Sequence, residues 1–151
     1  MIRLIDYKDE YQPDFKSLNI EWLEKYGLLE SHDLEILDDP KGTVIAGGGC
    51  IFLAEEDGKI IGTAGLWKEN EAEYELIKMA VEPDSRGKGI SRILLDRCLE
   101  EARQRKAKKI FLYSNSQLKT ALGLYEKYGF LHVPVVDAPF LTADVKMELV
   151  F

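Results

Sequence analysis

The sequence predicts an α/β fold of the mixed, α+β type, one sheet flanked by helices, and three observations carry that expectation. Short apolar runs bounded by turn residues crowd the first half, as in Cys50 to Ala54 and Lys59 to Trp67. A long stretch after Pro83 carries its apolar residues at helical spacing. The rest alternates strand, helix and strand patterns, the order of a sheet that takes helices on its faces. At 151 residues, 46% hydrophobic and 31% charged, the chain is expected to form a single domain spanning 1–151.

Ile2-Arg3-Leu4-Ile5 reads as a short first strand. Tyr11 to Tyr26 has helical spacing through Phe15, Leu18, Trp22 and Leu23, and Gly27 ends it. Residues 28–49 carry a second helix near His32 to Leu37 and a break at Asp39-Pro40. The runs Cys50–Ala54 and Lys59–Trp67 are two strands joined by Glu55-Glu56-Asp57-Gly58, whose Asp-Gly pair marks a hairpin. Glu73 to Val81 is a further strand, stopped by Glu82-Pro83. Ile90, Ile93, Leu94, Cys98, Leu99 and Ala102 make one apolar stripe on a long helix. Ile110 to Tyr113 is a strand, Leu118 to Tyr128 a helix ending at Gly129, and Val145 to Leu149 a last strand.

Composition removes several function classes. No apolar run approaches the ~20 residues of a membrane span. The opening MIRLIDYKDEYQ is broken by charges too early for a secretory leader, so a cytoplasmic, reduced chain is expected. Cys50 and Cys98 fit no metal or redox spacing, and His32 and His132 stand alone, so no metal is expected. The net charge of −7 argues against nucleic acid as a partner, yet residues 86–109 hold nine Lys/Arg against three Asp/Glu. A cationic segment in an acidic chain suits a small anionic ligand. Arg103 to Lys109 read as the solvated, dipole-favoured end of a helix, which leaves Arg86 and Lys88 to explain.

Those two cations sit in Arg86-Gly87-Lys88-Gly89, at the turn where the long helix begins. A helix start carries unpartnered N–H groups and partial positive charge, and glycine lets an anion approach the backbone. The turn therefore suits a phosphate or pyrophosphate. It is no nucleotide P-loop, which needs G-x-x-x-x-G-K-[ST]. A dinucleotide fingerprint begun at Gly87 fails at Arg92 and lacks an acidic ribose partner ~20 residues on. Gly47-Gly48-Gly49 precedes a strand rather than a helix and reads as a flexible or bulged strand start.

The segment RGKGIS resembles the Q/R-x-x-G-x-G/A signature of the GNAT superfamily of N-acyltransferases, with Ser91 in place of the last small residue. ELIKMAVEPDSRGKGI resembles the family's central strand and the loop after it, and ALGLYEKYGF, residues 121–130, its later A-x-x-L-Y-x-x-x-G-F segment. The resemblance runs from about Glu73 to Phe130 and more loosely from Ile51. It implies a central, mostly antiparallel sheet with a splayed strand pair. It also implies acetyl-coenzyme A as cosubstrate and transfer to a primary amine of a small molecule or protein.

The same resemblance distributes the work. Backbone groups of Met79, Ala80 and Val81 pair with the pantetheine arm, and the Met79 or Ala80 N–H polarises the thioester carbonyl. Arg86, Gly87, Lys88, Gly89, Ile90 and Ser91 receive the pyrophosphate. Tyr125 matches a tyrosine that protonates the coenzyme thiolate; read alone, it is a core aromatic beside Leu118 and Leu122. Tyr128 is a packing residue. Strand alternation puts Glu73, Glu75 and Ile77 on one face, and Glu75 stands where many family members carry a base. It is equally an exposed strand carboxylate, or a contact for a cationic substrate. Asn115 either touches the coenzyme or, with Ser116, caps the next helix, since Leu118 departs from the family's asparagine. Without an acyl-carrying nucleophile, direct attack in a ternary complex is expected. The acceptor is expected between the N-terminal helices, residues 115–118 and Pro139 to Thr142. The acids Asp33, Glu35, Asp38 and Asp39 there either favour a cationic amine or form a solvated face. The family often forms dimers, so a homodimer is possible. The competing readings are a non-catalytic acyl-coenzyme A-binding regulatory module and a nucleotide-binding protein.

Overall fold

Residues 1–151 are described by a computed structural model. The strands are β1 (Ile2–Asp6), β2 (Cys50–Glu56), β3 (Lys59–Lys68), β4 (Glu73–Val81), β5 (Lys109–Ser114), β6 (Leu131–Val133) and β7 (Val145–Val150). The helices are α1 (Gln12–Lys25), α2 (Ser31–Asp38), α3 (Ile90–Gln104) and α4 (Lys119–Lys127). All seven strands form one sheet in the order β1-β2-β3-β4-β5-β7-β6. Every pairing is antiparallel except β4 with β5. None of the helices is long and apolar enough to cross a membrane.

Each face of the sheet carries its own core, because inner strands present apolar side chains both ways. On one face Ile90, Leu94, Cys98, Leu99 and Ala102 of α3 pack on Phe52, Ala64, Leu66, Tyr74 and Leu76, with Tyr125 and Phe130 beyond. On the other face Phe15 and Leu23 of α1 and Ile36 and Leu37 of α2 pack on Ile51, Leu53, Ile60 and Ile77. Gly27, with φ of +68°, ends the α1 segment as expected. The N-terminus of α2 is closed by a reciprocal capping box between Glu30 and Asp33.

Several expectations need correction. Ile93 is 36% exposed, and Leu95 takes its place among the fully buried residues of α3. Residues after Asp39-Pro40 form a π-type turn, Lys41–Ile45, rather than only a break. The short strand β6 was not legible in the periodicity, and β7 pairs between it and β5. Arg105 is not a merely solvated helix end: it bonds Glu101 at 2.7 Å and the Gly48 carbonyl at 2.5 Å. The glycine run has a steric reason, since a Cβ on Gly49 would collide with the Leu66 carbonyl oxygen and one on Gly48 would meet the Lys68 side chain.

Two features of β4 open the molecule. Its parallel pairing with β5 covers only Glu73↔Lys109, Tyr74↔Ile110 and Glu75↔Phe111. From Leu76 to Val81 that edge of β4 therefore has no strand partner. On its other edge, the register with β3 passes from Gly65↔Ile77 to Thr63↔Ala80, so Lys78 and Met79 together oppose Ala64. One extra residue makes a bulge and reverses the parity of the strand. Tyr74 and Leu76 face the α3 core before it, and Met79 and Val81 pack against the same core after it.

Candidate active site

The bulge is held from below by a buried polar chain. Lys78 adopts φ of +52°, a left-handed conformation that costs a non-glycine residue about 1–2 kcal/mol. The fully buried Thr63 hydroxyl donates to the Lys78 carbonyl at 2.6 Å. Asn19 Nδ2 donates to the same Thr63 oxygen at 3.1 Å and to the Phe15 carbonyl at 2.9 Å, while Trp22 Nε1 donates to Asn19 Oδ1 at 3.0 Å. Helix α1 is thus tied to the irregular point of β4 by groups that have nowhere else to bond.

The Lys78 side chain turns toward α2, where its ammonium pairs with Asp33 Oδ1, both groups being buried. Asp33 Oδ2 accepts the Glu30 N–H at 2.9 Å, so the carboxylate serves both the capping box and the lysine. Phe140 lies over the same ammonium at 5.1 Å and against the His32 ring at 4.9 Å. Glu30 accepts hydrogen bonds from the Leu141 and Thr142 N–H groups at 2.8 and 2.9 Å and from the Thr142 hydroxyl at 2.6 Å. Those bonds hold its carboxyl below the usual range against burial, and latch the 140–142 segment to α2.

A cleft of about 810 Å³ follows the free edge of β4, between it and β5, and reaches the N-terminus of α3. At that end Gly87 and Gly89 have φ of +85° and +76°, and a Cβ at either would meet nothing within 4 Å. The glycines serve the backbone conformation and leave the turn open. The first helical bond is Ile93 N–H to the Gly89 carbonyl at 3.2 Å, so the N–H groups before it are the helix's orphan donors. This concavity fits a diphosphate: orphan amides, positive-φ glycines and the Arg86 and Arg92 side chains on its wall.

Of the residues picked from the sequence, Glu75, Met79, Ala80, Val81, Arg86, Gly87, Gly89, Ile90, Ser91, Asn115 and Tyr125 all line this one cleft. Lys88 stands outside its wall and reaches Glu56 at 3.5 Å, and Arg86 approaches Glu21 at 3.6 Å. The Ile90 side chain is core, which leaves its backbone to the cleft. Glu75 is 9% exposed, and desolvation pushes its carboxyl up to about 7 against the pull of Lys78. The reading of Glu75 as an exposed strand carboxylate is therefore corrected. Tyr125 is 7% exposed, its pKa raised by burial, and its hydroxyl lies 3.6 Å from Met79 Sδ. Tyr128 does more than pack, since its hydroxyl donates to Asp96 at 2.7 Å.

The Asn115 amide is spent inside its own loop, donating to the Thr142 carbonyl at 2.8 Å and accepting the Gln117 N–H at 3.0 Å. Ser116 bonds Asp144, and no side chain caps α4, so the capping alternative is not realised. Asp33 is not part of a solvated acidic face, because Lys78 neutralises it in the interior. Sequence reasoning missed Lys78, Thr63, Asn19 and Arg92. A lysine at the centre of an apolar strand, ELIKMAV, was the one available signal for a buried ion pair.

A short parallel contact that splays into a free strand edge, leading to a glycine-opened helix start, is the layout of an acyl-coenzyme A N-acyltransferase fold. Comparison with known proteins agrees. The acetyltransferase (GNAT) family pattern matches residues 6–130, and the chain belongs to that family. Among curated relatives, the N-acetylaspartate synthetase of Xenopus tropicalis is 34% identical over 108 residues, covering 69% of this chain and 40% of its own. An uncharacterised N-acetyltransferase of Escherichia coli is 34% identical over 89 residues, 57% of this chain and 53% of its own. The chain thus spans about half the length, or less, of these relatives. An acetyltransferase of GNAT family from Staphylococcus aureus superimposes with a TM-score of 0.90 at 20% identity, over 98% of both chains. The PaiA N-acetyltransferase of Thermoplasma acidophilum, solved in complex with coenzyme A, does so at 0.79 and 18%, over 100% of this chain and 99% of its own.

Breaking the buried pair should cost more than deleting it. Asp33→Ala leaves the Lys78 ammonium unpaired and is expected to lower unfolding free energy by about 3–5 kcal/mol in urea titration. The double change Asp33→Leu, Lys78→Met is expected to cost clearly less than Asp33→Ala alone. Equal losses would show that the charges are not coupled.

Proposed function

We propose that residues 1–151 form one N-acetyltransferase domain that moves an acetyl group from acetyl-coenzyme A to a primary amine by direct attack in a ternary complex. One observation carries the reading: a single open cleft is lined at once by Gly87, Gly89 and Ser91 of the glycine turn, by the unpaired edge of β4, and by Glu75 and Tyr125. Bound acetyl-coenzyme A supplies an activated thioester. The first amides of α3 with Arg86 and Arg92 hold its diphosphate, and the β4 edge at Met79 to Val81 takes the pantetheine arm as an added strand. An N–H at the bulge, held rigid by Thr63, donates to the thioester oxygen as negative charge develops there.

Proton movement falls to two buried groups. An alkylamine near pKa 10.4 arrives protonated, and desolvation in the cleft lowers that value toward Glu75. Glu75, itself near 7, accepts the proton when ionised, directly or through water. Carbon–nitrogen bond formation then releases the sulfur. Tyr125 stays protonated across the neutral range because burial raises its pKa. Its hydroxyl is thus available to a thiolate that has likewise been stripped of water.

The basic test is thermal and chemical. Coenzyme A should raise the melting temperature, and thiol should be released from acetyl-coenzyme A when an amine is added; the absence of both effects would sink the reading. Gly89→Ala meets no clash but must hold φ near +76°, so a stability loss of about 1–2 kcal/mol is expected, with weakened coenzyme A binding. Tyr125→Phe should keep coenzyme A affinity, read by calorimetry, and lose kcat.

Glu75 makes the rate depend on pH. With its value at about 7, kcat/KM should rise through neutrality, and Glu75→Gln should abolish that limb. Stability moves the other way. The folded state holds the Glu75 proton between 4.5 and about 7 while the unfolded chain releases it, so this group's contribution falls as pH rises through that window. Glu75→Gln should therefore stabilise the protein at about pH 8, on the order of 3 kcal/mol, and leave it unchanged at about pH 4. An unchanged pH dependence in the urea midpoint would contradict this.

A further inference from the structure

A second cavity, of about 400 Å³, opens on the α2 face of the sheet. It is within the size range of small-molecule sites. Glu75, Ile77, Tyr113 and Phe140 line both it and the main cleft, so the two meet along a wall of four residues. Glu75 is nine-tenths buried in that wall and makes no hydrogen bond or ion pair, which is costly for a carboxylate that nothing is meant to meet.

The charges around the cavity do not balance. Of its acids, Glu73 is engaged with Lys109 at 3.0 Å, and Lys109 is also held by Glu148 at 2.9 Å. Lys146 lies over the Phe111 and Tyr113 rings and 4.0 Å from Glu148. His32 leans on Phe140 and lies 3.5 Å from Glu35. Glu69 and Asp137, both exposed at the mouth, have no cationic partner, nor has Glu75. The surplus is felt inside: the Tyr113 phenol is raised by burial and then by Glu75, Glu69, Asp137 and Glu148. Trp67 adds an apolar wall suited to a methylene chain.

We propose that this cavity receives the distal positive charge of the acceptor, so that the substrate is a linear diamine or polyamine whose reacting nitrogen meets Glu75 at the shared wall. The inference rests on the acyl-transfer reading above. A carboxylate at the far end of the acceptor would be repelled by Glu69 and Asp137, and an uncharged end would leave both without a partner.

Putrescine, spermidine, butylamine and gamma-aminobutyrate separate the possibilities. Calorimetric titration in the presence of coenzyme A reads the cavity without needing turnover, and thiol release from acetyl-coenzyme A reads transfer. Putrescine should bind about tenfold more tightly than butylamine, with a matching KM difference, and gamma-aminobutyrate should bind worst. In Glu69→Gln, Asp137→Asn the putrescine-to-butylamine ratio should fall to near parity. Equal affinity for putrescine and butylamine, preference for gamma-aminobutyrate, or a ratio unmoved by the double variant overturns the inference. Transfer to butylamine alone would leave the acyltransferase standing without this site. If no amine releases thiol, acyl transfer fails, and the titration ratio alone then decides whether the cavity selects a second charge.

Discussion

The arrangement depends on one irregularity, the bulge at Lys78. A regular β4 would keep its alternation from end to end, and Met79 and Val81 would change places with Lys78 and Ala80 relative to the two cores. The extra residue lets the strand serve both faces: Tyr74, Leu76, Met79 and Val81 pack on the α3 side, while Glu75, Ile77 and the Lys78 side chain face α1 and α2. It also sits beside the splay, where β4 has lost its partner and its backbone is free for a ligand. The left-handed backbone at Lys78 is unfavourable by itself. It is held by Thr63, Asn19 and Asp33, whose buried polar groups are satisfied in that geometry.

This places opposite electrostatic environments within one strand. Lys78 is neutralised by Asp33 in the interior, so its charge opposes but does not cancel the desolvation of Glu75 three residues earlier. A paired Glu75 would have a low pKa and make a poor base; an isolated one in a fully apolar site would stay protonated. The position between those limits brings its value near neutrality, where a carboxyl both accepts and returns protons. The Glu30 latch contributes indirectly: it carries Phe140 over Lys78 and makes that ring part of the wall shared by the two cavities.

At the other end of the cleft, the proposed diphosphate site relies on backbone rather than charge. The chain is acidic overall, and Arg86 and Lys88 are themselves near Glu21 and Glu56. Side-chain charge at the glycine turn is therefore partly offset, and the orphan amides at the start of α3 are the donors no internal acid competes for. Arg92, one turn into the helix, lies on the cleft wall and adds a cation on the same side.

By itself the sequence determined what is local. The α3 stripe, the Asp57-Gly58 hairpin, the Gly27 and Gly129 stops and the glycine turn each follow from the φ/ψ needs or periodicity of neighbouring residues, and all are present in the fold, the stripe with Leu95 in place of Ile93. The picked site residues nearly all reach one cleft because the motif and the strand before it are contiguous in the chain. Only tertiary structure decided the rest. Lys78 and Asp33 are 45 residues apart, and a lysine in an apolar strand does not disclose its partner. Asn115 looked available until the Thr142 carbonyl claimed its amide. The strand β6 lies outside β7 through a pairing too short to leave a pattern. The solitude of Glu75 and the cavity behind it are properties of surroundings drawn from α2, four strands and the segment at Phe140, and no local stretch of chain encodes a distance between such parts.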